Sequence, residues 1–441
     1  MRRDRLTWTF YGVFVMWGWF LYSFNPSVPL LADEFGISAG QAGLHGTAMA
    51  VGAIGASGAA PYLVASRGRR AAIVTALGFV VLGAAGLLLA PSLWVSLPGT
   101  AVLALGGNVA IASSQAGLAR HHGDAASAAL TEANGVGSSI GLVGPLAAGA
   151  CVAIGWGWRP AVALTIVCAV VTAYRAARTP QDGAMSAPTQ GRRAAVAPSP
   201  AVVRLDGPHG VEPVLGSVEA LAVAVVEPDD PAGAPGAPGA PGGTVGGPRT
   251  RLAAWCFLGA VVAAIALENV TTYWSTDLVR EQTSADAGIA TATTAGFVAG
   301  LSAVRFVVGP WSLRVRPALL LAASFVVTVL GWAVLWTASS PTVAVAGLVV
   351  AGFGCGAQYP LSVALLLSTA PHAQDGAQAR ATLAGGIAIG VAPFVLGALA
   401  DAVGVHTAFL VVPAIAAAGG VVAMLGGNAL HRSGRPGPTT G

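Results

Sequence analysis

The sequence contains no lysine; all 22 of its basic residues are arginine. Without lysine there is no GxxxxGK[ST] phosphate loop and no Schiff-base chemistry, so the chain neither hydrolyses ATP through such a loop nor forms an imine with a carbonyl substrate. Charge is scarce as well. Charged residues make up 9% of the chain, against about 25% in an average soluble domain, which argues against a soluble enzyme. Cysteine is limited to Cys151, Cys168, Cys256 and Cys355. All four lie in or beside apolar runs and show no CxxC or Cys/His spacing, so they read as small packing residues, and neither a metal nor a cofactor is expected. The net charge of +4 could suggest nucleic acid, but the arginines stand at the ends of apolar runs, where they orient helices in a bilayer. No nucleic-acid partner is expected.

What the sequence has instead is apolar length, with 55% of its residues hydrophobic. A helix of about 20 apolar residues rises about 30 Å, the thickness of the hydrocarbon core, with every backbone amide paired inside its own segment. Runs of this kind fall at 6–31, 41–65, 71–90, 93–118, 127–153, 158–177, 252–278, 286–309, 317–337, 342–369, 379–400 and 405–426. They predict an all-α membrane protein of twelve spans in two six-helix bundles, 1–178 and 251–427, with a joining segment at 179–250 and a tail at 428–441. Met1 to Arg5 leads straight into an apolar run with no small-residue cleavage site, which reads as a first span and not as a removed signal peptide.

With the N-terminus inside, one side of the membrane collects Arg2, Arg3, Arg5, Arg67, Arg69, Arg70, Arg120, Arg175, Arg178, Arg314, Arg316, Arg380, Arg432 and Arg435, and the other side only Arg159 and Arg280. The positive-inside rule then places both termini and the joining segment in the cytoplasm, and the expected location is the plasma (cell inner) membrane. The joining segment is rich in Pro, Gly, Ala and Ser, with the run GAPGAPGAPG from Gly233 to Gly242. Three triplets are too few for a triple helix, so the composition predicts a flexible linker.

The halves echo one another. GLVGP at Gly141–Pro145 has a counterpart in GVAP ending at Pro393, and Gly106, Gly107 and Asn108 in span four have counterparts in Gly354, Gly356 and Gln358 of span ten. Between spans two and three the chain reads PYLVASRGRR, Pro61 to Arg70, and between spans eight and nine GPWSLRVRP, Gly309 to Pro317. This arrangement resembles the major facilitator superfamily over essentially the whole chain outside the linker. Against that family's GxxxDRxGRR loop motif, Gly68, Arg69 and Arg70 match, whereas Pro61, Ala65 and Ser66 replace the first glycine, the aspartate and the arginine. The second copy keeps Gly309 and Arg314. Against GxxxGPxxGG, a span-five pattern of proton-exchanging exporters, Gly144, Pro145 and Gly149 match, and Ile140 and Ala148 do not. GWGWRP at Gly155–Pro160 and the ALAD run ending at Asp401 also look like family loops.

Charge inside a membrane costs about 2.5–3.5 kcal/mol per residue at a helix centre, so each instance needs a reason. Glu268, in AIALENVTTYW of span seven, is the leading proton-coupling candidate, because a buried carboxyl binds a proton near neutral pH and releases it when water arrives from one side. The alternative is a protonated Glu268 bonded to a neighbouring helix. Glu132 in span five is a second candidate, or a side chain that snorkels or pairs with Arg120. Arg305 in span eight reads as a gate or interface residue, with substrate contact as the alternative. Asp33, Glu34, Asp277, Glu281, Asp286 and Asp401, near the outer span ends, read as ordinary solvated charges.

In the family, spans one, four, seven and ten line a central cavity. The resemblance therefore directs attention to Tyr22, Asn25, Asn108, Gln115, Asn269, Tyr273, Trp274, Gln358 and Tyr359, with Gly68, Arg69, Arg70, Arg305, Gly309 and Arg314 as gate or loop residues and Gly144, Pro145 and Pro393 as helix bends. Amides, hydroxyls and rings in an apolar cavity suit a small amphipathic solute. The expectation is a monomeric, proton-coupled secondary carrier working by alternating access and favouring export. Uptake of a metabolite, or a non-transporting sensor of the same fold, are the alternatives.

Overall fold

Proline and small polar residues set where most of the helices begin. In the computed structural model, which describes residues 3–122, 126–180, 183–185, 248–312, 314–370 and 374–433, the N-terminal half comprises α1 (Arg5–Phe24), α2 (Val28–Phe35), α3 (Ala39–Arg67), α4 (Arg69–Leu88), α5 (Leu93–His122), α6 (Ala126–Gly141), α7 (Val143–Ala153) and α8 (Arg159–Arg178). The C-terminal half comprises α9 (Pro248–Thr283), α10 (Ala287–Ser312), α11 (Pro317–Trp336), α12 (Pro341–Ser368), α13 (Gln374–Val403), α14 (Val405–Ala408) and α15 (Val411–Ser433). α8, α11 and α12 each carry proline in the first turn, where its fixed φ suits the helix and its missing N–H is not needed. α3 opens with a capping box in which Ser38 and Gln41 serve each other's backbone N–H groups.

Among the described residues, eleven helical stretches are each long and apolar enough to cross a membrane, with α6 and α7 together counted as one of them. The first span is instead divided, α1 passing through a short 3-10 turn at Asn25–Ser27 into α2, because Pro26 and Pro29 cannot donate to the carbonyls behind them. The fifth span is also divided, into α6 and α7 around Leu142, just ahead of Gly144 and Pro145. Pro393, by contrast, lies within an unbroken α13. The expected linker lies outside the described residues except at 179–180, 183–185 and 248–250, the last belonging to α9, and residues 434–441 of the tail also lie outside them. α15 runs to Ser433, past the boundary expected at 427.

Large apolar side chains face outward all round, among them Leu82, Val170, Val171, Val326, Leu330, Val421 and Leu425, while Trp94 and Trp156 mark one rim and Tyr62, Tyr174 and Trp255 the other. An apolar belt between aromatic rims is the surface a bilayer covers. Inside each half the helices meet at glycine: a Cβ on Gly99 would lie 2.7 Å from Leu87 N, and one on Gly347 would lie 2.8 Å from Leu335 Cα. Small residues let backbones approach where lipid supplies no hydrophobic drive.

Arg159 ties three elements together. Its Nε donates to Leu88 O at 2.8 Å and its Nη2 to Ala90 O at 3.3 Å, at the C-terminal end of α4, and Nη1 pairs with Glu34, which also accepts from Trp158 Nε1 at 2.9 Å. The cation meets carbonyls left over at a helix end. Arg159→Ala should therefore cost about 1–2 kcal/mol, read as a lower midpoint in thermal unfolding, the partial exposure of the pair limiting the loss.

Candidate functional site

Two seams join the halves, and both are closed at the end that carries Asp401. In one, α3 packs on α13 through small residues. A Cβ on Gly43 would lie 2.7 Å from Phe394 Cα, and one on Gly46 would lie 2.9 Å from Ile389 O. Thr47 Oγ1 donates to Gly390 O at 2.5 Å. In the other, α7 packs on α10 where Gly149 meets Gly288 and Ala292, and the seam continues to Arg305, whose Nη1 donates to Ser138 Oγ of α6 at 2.7 Å. Arg305 thus makes a contact between the halves.

Along α3 the seam follows Gly40, Gly43, Thr47 and Ala50; the next positions in that helical phase, Ile54 and Gly58, are exposed. Along α13 it follows Asp401, Ala398, Phe394 and Gly390, after which Ile387 and Leu383 are exposed. The halves therefore part toward the opposite end, where Arg67, Arg69, Arg70 and Arg120 sit.

α9 carries the densest set of candidate residues, just beyond its midpoint. Glu268 is 7% exposed and lies within electrostatic reach of Cys355 on α12, one turn before Tyr359. Asn269 donates Nδ2 to Ile265 O of its own helix at 2.9 Å. Tyr273 and Trp274 are fully buried. The Tyr273 hydroxyl donates to Met49 Sδ of α3 at 3.2 Å, and Trp274 Nε1 donates to Pro393 O of α13 at 2.9 Å. One turn further, Thr276 Oγ1 donates to Pro26 O in the 3-10 turn of the other half at 3.0 Å. α9 therefore bonds to the N-terminal half one and two turns beyond Glu268, on the side of the closed end.

On α1 and α5 the candidates are buried. Tyr22 packs on Gly141 and Gly144, so these span-five glycines serve a close helix contact, a Cβ on Gly144 lying 2.8 Å from the Tyr22 backbone. Asn25 lies in the 3-10 turn. Asn108 donates Nδ2 to Ala104 O at 2.8 Å. Gln115, 5% exposed, has no partner for either amide atom among the described residues. Gln358 is placed differently from expectation. Its Nε2 donates to Thr328 Oγ1 of α11 at 2.7 Å, because it shares the helix phase of Gly347, Ala351 and Gly354, which pack on α11.

At the arginine-rich end, Glu132 pairs with Arg3 and not with Arg120, its oxygens lying 2.6 Å from Nε and 3.2 Å from Nη2. The hydrogen bond to Glu132 and then its charge hold the Arg3 pKa above its ordinary value. Partial burial pushes Asp4 up, but hydrogen bonds from the Thr7 N–H and hydroxyl and from His121 outweigh it and hold the carboxyl below its ordinary range. Gly68 separates α3 from α4 at φ +82° and ψ 160°, a backbone region open to glycine alone, so its match to the loop motif has a conformational cause. Arg69 donates Nη1 to Ala184 O at 2.6 Å, and Met185 beside it is fully buried, so the first turn after α8 docks on this loop. Arg70 is half-buried, Gly309 lies in α10, and Arg314 is exposed in the turn that follows.

Sequence reasoning missed three groups. The acids at the closed end are bonded, Asp33 to Arg280 at 2.7 Å and Asp401 to the backbone of α3. His45 is fully buried between Ala42 O at 2.8 Å and Ser96 Oγ at 3.0 Å. Trp336 and His406 stack at 4.4 Å and exchange bonds with each other's carbonyls. A histidine inside an apolar helix was the one local signal available.

The family profile described as Major Facilitator Superfamily matches residues 9–224 and 256–440. Among solved structures, a point mutant of the nucleoside transporter NupG superposes with a TM-score of 0.70 at 9% identity, over 95% of this chain and 98% of that one. A bacterial homologue of the human drug peptide transporters PepT1 and PepT2 gives 0.69 at 12% identity, over 98% and 100%. A point mutant of the E. coli fucose:proton symporter FucP gives 0.51 at 16% identity, over 98% of each. No curated protein sequence matches the chain.

Proposed function

The chain belongs to the major facilitator superfamily, a family of transporters and not of enzymes, and on that premise we propose that it is a proton-coupled secondary carrier moving a small organic solute by alternating access, with export favoured. The observation that carries this reading is Glu268, a carboxyl buried in mid-span on the helix that also bonds to the other half. Intramembrane acids are functional by default, and one that can be reached from only one side at a time couples proton release to the conformational change. Glu132, in its surface ion pair with Arg3, is the second proton-coupling candidate, and Arg305 with Ser138 acts as a gate contact. The unpaired amide of Gln115 and the polar groups of α1, α9 and α12 suit a neutral or amphipathic solute that exchanges hydrogen bonds.

Combined with the positive-inside rule, this reading makes the closed Asp401 end the outer one, so the halves open to the cytoplasm, where both termini lie, and the membrane is the plasma membrane. Export rests on the partial span-five motif, Gly144, Pro145 and Gly149. Uptake is the second reading, favoured by the fold shared with a fucose:proton symporter.

The test begins by screening the purified monomer against nucleosides, peptides, sugars and amphipathic drugs for thermal stabilisation, where a ligand at 100 times its Kd adds about 2.7 kcal/mol. Hits are then followed in liposomes under pH gradients of either direction. Solute movement against the proton flow supports export, and movement with it supports uptake. A bound solute whose flux ignores the gradient overturns proton coupling, and binding without flux identifies a sensor. Deleting residues 190–245, beyond the docked turn at Gly183–Met185, should leave the flux within about twofold if the segment only tethers the halves.

A further inference from the structure

The contact between Asp401 and α3 differs in kind from the rest of the closed end. Near the C-terminus of α13, in one half, the Asp401 carboxylate accepts the Ala39 N–H at Oδ1 and the Gly40 N–H at Oδ2, both at 2.8 Å, and these are the first two residues of α3 in the other half. Such N–H groups have no carbonyl within their own helix, and they form the positive end of its dipole. Ser38 already takes the Gln41 N–H at 3.2 Å, so α3 has its own cap and the carboxylate takes two donors which that cap leaves over. Gly40 lets it approach: a Cβ there would lie 2.9 Å from Oδ2 and 3.1 Å from Ala398 Cα.

The neighbouring cross-half ion pair, Arg280 Nη1 to Asp33 Oδ2 at 2.7 Å, joins a half-buried arginine to an exposed aspartate, and Arg280 also keeps Asp277 of its own helix at 3.6 Å. The long, flexible arginine can follow Asp33 for some distance when the halves separate. A short carboxylate held on two backbone donors cannot; its bonds exist only while α3 and α13 are in register.

We propose that Asp401 is the latch of this end: a positioning residue that holds the two halves shut by capping the other half's helix, and whose two bonds break each time the molecule opens there. This rests on the alternating-access reading above. Removing the charge should raise the population open at the Asp401 end on the order of tenfold, within the range that couplings of this kind reach.

The test is a pair of distances measured by spin labelling in lipid nanodiscs, on the full chain with its four cysteines replaced. One pair of labels, at Trp156 and Thr407, spans the closed end across the halves; the other, at Tyr62 and Leu383, spans the opposite end of α3 and α13, and all four positions are exposed. Asp401→Asn and Asp401→Ala are each expected to move population toward a longer Trp156–Thr407 distance and, in the same molecules, a shorter Tyr62–Leu383 distance. Unchanged distances in both variants overturn the latch. So does a broadened Trp156–Thr407 distance with the other pair unmoved, which would mean only local loosening of α3. Neither distance depends on a solute or a proton gradient, so a variant that shows the paired shift in a chain without flux leaves the latch standing and counts against the transport reading alone.

Discussion

Glu268→Gln is expected to abolish proton-driven accumulation while leaving the fold and solute exchange intact. A proton moving down a gradient of about two pH units releases about 2.7 kcal/mol, enough to hold a solute roughly 100-fold out of balance at one proton per cycle. Glutamine has the shape of protonated glutamate but cannot release the proton, so the ratio should collapse to about one, a loss on the order of a hundredfold. Glu268 is 7% exposed, and its neutral isostere fills the same volume, so the variant should still fold. Counterflow of labelled against unlabelled solute in liposomes separates the two effects: it should persist at near wild-type rate. Full gradient-driven accumulation by Glu268→Gln would remove Glu268 from the coupling role and turn attention to Glu132.

Gly149→Leu is expected to prevent closure on the α7–α10 side. A Cβ at this position would lie 2.9 Å from Ala292 Cβ and 3.0 Å from Ala292 N, with the Gly288 carbonyl also in its way. These are mostly backbone atoms and cannot swing aside. Overpacking of this kind costs about 1–3 kcal/mol or more, equivalent to shifting a two-state equilibrium by roughly 5- to 150-fold. Turnover should fall at least about tenfold, since each cycle must pass through the closed form that the leucine disfavours. Gly58→Leu is the control, because nothing lies within 4 Å of that position. Cross-half distances and flux measured on both variants check the result, and equal flux in the two would show that the seam yields without cost.

Much of this architecture is legible from apolar length and proline placement. The runs read at 158–177, 317–337 and 342–369 correspond to Arg159–Arg178, Pro317–Trp336 and Pro341–Ser368, since a proline in the first turn marks each start. Helix ends outside the hydrocarbon were less legible. α9 continues to Thr283 and α13 begins at Gln374, because helical hydrogen bonding does not stop where hydropathy does.

Burial within the candidate site was legible where a residue's type alone is anomalous, as with Glu268. Placement was not legible where the meaning lies in a partner far along the chain. Asp401 reads as solvated because its partners are backbone N–H groups in the other half, and no side-chain pattern announces a backbone donor. Gln358 reads as lining the cavity because span ten does so in the family, yet its register with Gly354 and Ala351 already turns it to α11. Arg3 could not be chosen over Arg120 as the partner of Glu132 without knowing how α1 lies against α6.

At their tightest points the seams between the halves have glycine or alanine on one side or both, and this bears on the heat and speed of the cycle. Glycine and alanine have no rotamers to freeze, so bringing Gly43 onto Phe394 or Gly149 onto Ala292 orders few side chains, and parting them releases little disorder. The opening equilibrium should accordingly vary little with temperature through side-chain entropy. Its position is then left to a handful of directional bonds, so that one substitution among them retunes the resting state without rebuilding the helices that move.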